Sequence, residues 1–146
     1  MNDSAATTQT AAPTLSFDPT TVARYQLHGQ DVPWLLDHWA AHRGEHPFLI
    51  WEPKDGNDRT WTYSQFADAT RSVAAGLAAK GVKAGDRVLI HADNCPEGVI
   101  AWYALSRLGA VAVTTNTRSV AAEVAYFIDH SKAVGAITQP QYASLV

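Results

Sequence analysis

From Asp31 onward the apolar positions alternate between the three- and four-residue steps of a helix and the short unbroken runs of a strand. Val32, Leu35, Leu36, Trp39 and Ala40 follow Asp31, a good N-cap residue, and predict an amphipathic helix over 32–43 that stops near Gly44. Phe48, Leu49, Ile50 and Trp51 then read as a strand. Pro53, Gly56 and their charged neighbours predict a turn. After it, Thr62 and Gln65 match a capping box that opens a helix over 63–80, with Phe66, Thr70, Val73, Ala74 and Leu77 on one stripe. Gly81 stands where a left-handed helix-ending residue belongs, and Val82 where the closing apolar contact belongs.

The next stretch repeats one pattern twice. A strand at 88–90 leads to a helix from an Asn94 cap, a strand at 110–114, a helix from a Ser119 cap, and a strand at 134–138. Strands about 23 residues apart leave room for helical crossovers, which parallel neighbours require. The fold class expected is therefore α/β, with a parallel-sheet βαβαβ unit. Helix 95–108 is apolar nearly all round, so a face around Leu105 and Leu108 is expected to lie exposed until a missing domain or a partner packs on it. Pro140 opens what reads as one more helix, which the chain leaves unfinished at Val146.

Residues 1–30 show no lasting periodicity and are rich in Ala, Thr, Gln and Asp, which predicts a flexible tail before a folded part at 31–146. Eleven Lys plus Arg against fourteen Asp plus Glu give a formal charge of -3, which offers nucleic acid no basic footprint. No apolar run approaches the roughly 18–20 residues that cross a bilayer. With one cysteine there is no internal disulfide, and the cytoplasm is the compartment expected.

Chemistry is sparse. His38 and His42 share a helical face at a metal-pair spacing, but Glu45 lies in no H-E-x-x-H pattern, and Gly44 and Pro47 keep His46 off that helix. A solvated helix edge is the expected role. Gly76 and Gly81 have a phosphate-loop spacing inside a helix, with Val82 where the lysine belongs, and form no such loop. Cys95 begins a helix with no adjacent base and reads as structural. In open parallel sheets ligands collect outside the carboxyl ends of the strands, so 91–94, 114–118 and 138–139 are the segments of interest. Asn94, Asn116 and Arg118 are the candidate cavity residues there, against their plainer role as caps and turn residues.

Read together, the segments Trp61-Thr62-Tyr63-Ser64-Gln65-Phe66, Gly81-Val82-Lys83-Ala84-Gly85-Asp86-Arg87-Val88 and Asn94-Cys95-Pro96-Glu97 form a specific ordered set. Gly109-Ala110-Val111-Ala112-Val113, Asn116 and Glu123 to Phe127 continue it. The set resembles the start of the adenylate-forming superfamily, and most of all ATP-dependent acyl-CoA ligases of the carnitine- or fatty-acid-CoA ligase kind, across residues 31–146. The resemblance implies an incomplete N-terminal subdomain of the ligase fold. It also implies a two-step reaction, in which a carboxylic acid becomes an acyl-adenylate and then passes to CoA. ATP, Mg²⁺ and CoA are implied for the full-length family member, and none is expected to bind this segment. The family's phosphate loop and catalytic lysine come later, and Lys54, Lys80, Lys83 and Lys132 match neither, so no catalytic, cofactor-binding or metal residue carries over. An inactive fragment of a ligase is the leading expectation. A free-standing noncatalytic α/β module that binds a partner is the alternative.

Overall fold

The computed structural model describes residues 30–146; the tail expected over 1–30 lies, but for Gln30, outside the described residues. Helix α1 spans Val32–Arg43, and the Asp31 carboxylate accepts the Trp34 N–H at 2.7 Å, the local bond that starts it. Strands β1 (Pro47–Trp51) and β2 (Arg59–Thr62) pair antiparallel, Ile50 opposite Thr60 and Trp51 opposite Arg59. β2 replaces part of the irregular stretch expected before Thr62. Its Arg-Thr-Trp-Thr sequence has no apolar run, and pairing with β1 makes it a strand.

Helix α2 (Tyr63–Ala79) opens on a complete capping box: the Thr62 hydroxyl accepts the Gln65 N–H at 3.3 Å, and the Gln65 side chain accepts the Thr62 N–H at 3.0 Å. It closes as the sequence predicts. Gly81 takes φ 95°, its N–H reaches Ala78 O at 2.9 Å, and the Val82 N–H reaches Leu77 O at 3.1 Å. β3 (Arg87–His91), α3 (Pro96–Arg107), β4 (Val111–Thr114), α4 (Ala121–Ser131) and β5 (Gly135–Thr138) complete the βαβαβ unit. The predicted last helix is a 3₁₀ turn, Pro140–Leu145.

The parallel sheet has the order β4-β3-β5, so the central strand is flanked by its two successors, with Val88 level with both Ala112 and Gly135. Val88, Leu89, Ile90 and His91 are all buried, as befits a strand covered on both faces. Two caps sit one residue later than the sequence suggests. Cys95, not Asn94, precedes α3, and Val120, not Ser119, precedes α4, where the Glu123 carboxylate accepts the Val120 N–H at 3.1 Å.

The core has two parts, and α3 joins them. On the sheet side Ala101 and Leu105 pack with Val88 and Ile90. On the other side Ile100 meets Leu36, Phe66 and Ala67, while Tyr103 stands edge-on to Phe66 at 5.1 Å between ring centres. This corrects the expectation for the Leu105 and Leu108 face. Leu105 is 0% exposed and Leu108 is half-buried, whereas Trp102 is 42% and Val99 37% exposed. Leu105 lies one turn after Ala101 and therefore shares the stripe that faces the sheet, and the helical layer covers the next stripe. Only the stripe of Val99 and Trp102 is left outside.

Arg107, at the end of α3, locks the helical layer. Its guanidinium donates to both oxygens of Asp37 in α1, at 2.9 and 2.6 Å, and through Nε to Thr70 Oγ1 in α2 at 2.8 Å. Arg71 adds a second cation to Asp37 at 2.7 Å. Among the described residues no helix is long and apolar enough to cross a membrane.

Candidate functional site

The carboxyl ends of β3, β4 and β5 converge on the segments the sequence singles out. A cavity of about 420 Å³ opens there, between the hairpin and the start of α3, with Trp51, Ile90, Cys95, Trp102 and Thr114 among its walls and Asp93 and Asn94 on its polar side. Its lining is mainly apolar. Of the three candidate residues, Asn94 lines the cavity, while Asn116 and Arg118 stand apart from it: the Asn116 side chain accepts the Arg118 N–H at 2.9 Å and shapes the turn after β4.

The residue that organises these strand ends is Asp93, which residue type alone did not distinguish from its neighbours. Its carboxylate accepts the Thr117 hydroxyl on one oxygen and the Tyr142 hydroxyl on the other, each at 2.8 Å. Its backbone N–H donates to Gln139 Oε1 at 2.8 Å. The loop after β3 is thus tied to the loop after β4 and to the turn after β5. Those hydroxyls, Thr117 first and then Tyr142, hold the Asp93 carboxyl below the usual carboxylate range by stabilising its charged form. The signal available in the sequence was position: Asp93, Thr117 and Gln139 all lie in strand-end segments. Tyr142 lies beyond them.

Two residues deeper, His91 is fully buried, and its Nδ1 lies 2.9 Å from Thr115 Oγ1. The same Thr115 hydroxyl lies 3.2 Å from Ile90 O, which also accepts the Thr115 N–H at 3.1 Å, so Thr115 ties the His91 ring to the end of β3. The other ring nitrogen, Nε2, is buried with no hydrogen-bond partner among the described residues, and the Tyr142 ring packs edge-on against the imidazole at 5.3 Å.

Elsewhere, His38 stacks between Trp34 and His42, with ring centres 5.0 and 4.2 Å apart. Among the described residues no group of three His, Cys, Asp or Glu side chains converges on a metal position. Cys95 is half-buried at the cavity wall.

The family model described as "AMP-binding enzyme" matches residues 36–145. The chain belongs to this family. Within the AMP-binding family it is 31% identical over 114 residues to crotonobetaine/carnitine–CoA ligases of Salmonella paratyphi B and Salmonella typhimurium, a match that covers 78% of this chain and 22% of each relative. Among solved structures, the N-terminal domain of FACL13 from Mycobacterium tuberculosis superposes with a TM-score of 0.72 at 30% identity, over 79% of this chain and 28% of that one. The N-terminal subdomain of Klebsiella oxytoca NpsA gives 0.67 at 27% identity, over 73% and 26%. The chain thus spans about a fifth of the length of these curated relatives and has the α/β fold of an N-terminal subdomain of adenylate-forming ligases.

The strand-end donors do not fit a triphosphate or its magnesium ion. Neither lysine nor arginine lines the cavity, and both oxygens of the carboxylate at its mouth accept from hydroxyls. No step through ATP, Mg²⁺ or CoA is assigned to these residues.

Proposed function

We propose that this chain is the opening part of the large N-terminal domain of an ATP-dependent acyl-CoA ligase, and that it supports the carboxylic-acid cavity without ligating by itself. The observation that carries this reading is the match of 78% of the chain to 22% of relatives named as CoA ligases. The mainly apolar cavity at the strand ends agrees with a supporting role, since it offers walls for an acyl group and no cation for a phosphate. The ligase would work on a carboxylic acid, ATP and CoA in the cytoplasm. A second reading, a noncatalytic module that docks a partner, draws on the exposed Val99 and Trp102 of α3.

Stabilising charge on a transferring adenylyl group takes several preorganised donors, and losing even one costs about 10²–10³ in rate. Pyrophosphate exchange into ATP, with Mg²⁺ and a panel of short, medium and long carboxylic acids, is therefore expected to stay at background for the 146-residue chain. A longer protein that continues the same reading frame with the ligase's later motifs is expected to exchange in an acid-dependent way. Acid-dependent exchange by the short chain, surviving repurification and abolished by substitution at Asn94, Asn116 or Arg118, would overturn the reading.

A further inference from the structure

We propose that Asp93 is the positioning residue of the strand-end site, holding the loop after β4 and the turn after β5 in place at once and keeping the Tyr142 ring packed against the buried His91 imidazole. The proposal rests on the ligase reading only for what the site is used for; the latch itself stands on geometry.

Three contacts from Asp93 cross the ends of all three parallel strands. Thr117 and Tyr142 each donate to a separate carboxylate oxygen, and Gln139 accepts the backbone N–H. Thr117 and Tyr142 make no hydrogen bond to each other, so Asp93 is what they share. Both hydroxyls point to a charged acceptor, the stronger class of hydrogen bond. Thr138 braces the same corner by donating to His91 O at 2.7 Å.

Beneath the latch lies an unusual group. His91 is 0% exposed, its Nδ1 is hydrogen-bonded to Thr115 Oγ1, and its Nε2 has no hydrogen-bond partner among the described residues. A buried polar nitrogen without a partner gains a hydrogen bond as soon as water or a ligand reaches it. The fold therefore keeps an imidazole with a nitrogen unpartnered among the described residues at the end of the central strand, beside a carboxylate and against a tyrosine whose hydroxyl is held by that carboxylate. Releasing Asp93 from Tyr142 gives access to it.

Carbethoxylation by diethyl pyrocarbonate, read peptide by peptide in a mass spectrometer, reports whether an imidazole nitrogen is reachable, and the exposed His42 and His46 serve as internal references. In the wild-type chain His91 is expected to resist while the references react. Asp93→Ala, Asp93→Asn and Tyr142→Ala should each raise the His91 rate about tenfold, the amount that losing one hydrogen bond of roughly 1.4 kcal/mol gives. Amide hydrogen exchange should rise in both 115–120 and 139–145 for Asp93→Ala, whereas Thr117→Val should loosen only the first of these and Tyr142→Phe only the second. The Tyr142 Cζ resonance, which reports the bond its hydroxyl makes, should move in Asp93→Asn and stay in Thr117→Val. Amides of Leu89 and Ile90 stay protected throughout if the fold is intact. If the Asp93 variants keep those core amides protected and leave His91 as unreactive as in the wild type, the latch is refuted. A variant that unfolds exposes every histidine and the core amides alike, and the milder Tyr142→Phe and Thr117→Val pair then decides by whether each loosens its own segment. None of these readouts uses ligase activity, so loss of the latch and loss of the ligase reading are separate results.

Discussion

Lys132 ends α4 in the left-handed region at φ 56°, where Gly81 and Gly109 end α2 and α3 at 95° and 66°. The bonding is the same in kind: the Lys132 N–H reaches Asp129 O and the Ala133 N–H reaches Ile128 O, both at 3.2 Å. A side chain with a Cβ is strained there by about 1–2 kcal/mol, whereas glycine is not. The Lys132–Asp129 ion pair is exposed on both sides and returns little of this. Lys132→Gly is expected to raise stability by about 0.5–1 kcal/mol once the greater freedom of glycine in the unfolded chain is counted. A denaturant titration should show a higher midpoint with an unchanged slope, and a lower midpoint would contradict the assignment.

Asp37 belongs to the same scale. The hydrogen bond from Arg107, and then the charges of Arg107 and Arg71, hold its carboxyl below the ordinary carboxylate range against the opposing effect of burial. Because the folded-state value is depressed, the stability it contributes is present above the unfolded carboxylate value and is lost as pH falls through the lower folded one. The carboxylate is 45% exposed, so solvent screens the pair, while Arg107 is only 11% exposed and keeps few alternative partners. Asp37→Asn should cost about 1–2 kcal/mol at neutral pH. The gap between variant and wild type should shrink on acidification; an equal gap at pH 7 and in strong acid would show that the charge is not what matters.

Among the elements, those whose ends are set by neighbours in sequence were legible. The bounds of α1 and α2 follow from Asp31, Thr62, Gln65 and Gly81, each acting within one turn of itself. Removing such a signal has a local cost, and Thr62→Ala is expected to lower stability by about 1 kcal/mol. Thermal unfolding should register that loss, while Ser64→Ala, outside the box, should cost less; reversal of that order would mean the box is not what starts α2. The element that escaped notice, β2, carries no periodic signal in its four residues and exists because β1 lies beside it. Cys95 and Val120 hold the cap positions one residue beyond Asn94 and Ser119, and neither makes a side-chain cap bond of its own.

At the scale of the molecule, the layers decide which face of α3 is outside. A polar substitution at Leu105 should unfold the chain or cost about 3 kcal/mol or more, since it buries an unpartnered group between sheet and helices. Trp102→Gln should instead leave unfolding within about 1 kcal/mol of the wild type and reduce binding of a hydrophobic dye. The opposite pattern, a harmless Leu105 substitution and a disruptive one at Trp102, would restore the face expected from the sequence.

The sequence by itself determined the α/β class, the parallel βαβαβ unit, the first two helices, and an ordered set of motifs that places the chain in the AMP-binding family. These are written in short-range terms: period, caps, turn glycines and spacing between strands. Among the candidate residues, Asn94 was found this way because the ends of parallel strands are where cavities form. Only the tertiary structure decided the rest. That Leu105 is covered and Trp102 is not, that Asn116 and Arg118 build a turn, and that Asp93 meets Thr117 and Tyr142 all depend on which strand lies beside which. With β3 between β4 and β5, residues 24 and 49 positions apart come within 2.8 Å of one carboxylate. No pattern along the chain encodes that meeting, because the order of strands in a sheet is settled by packing the whole core at once.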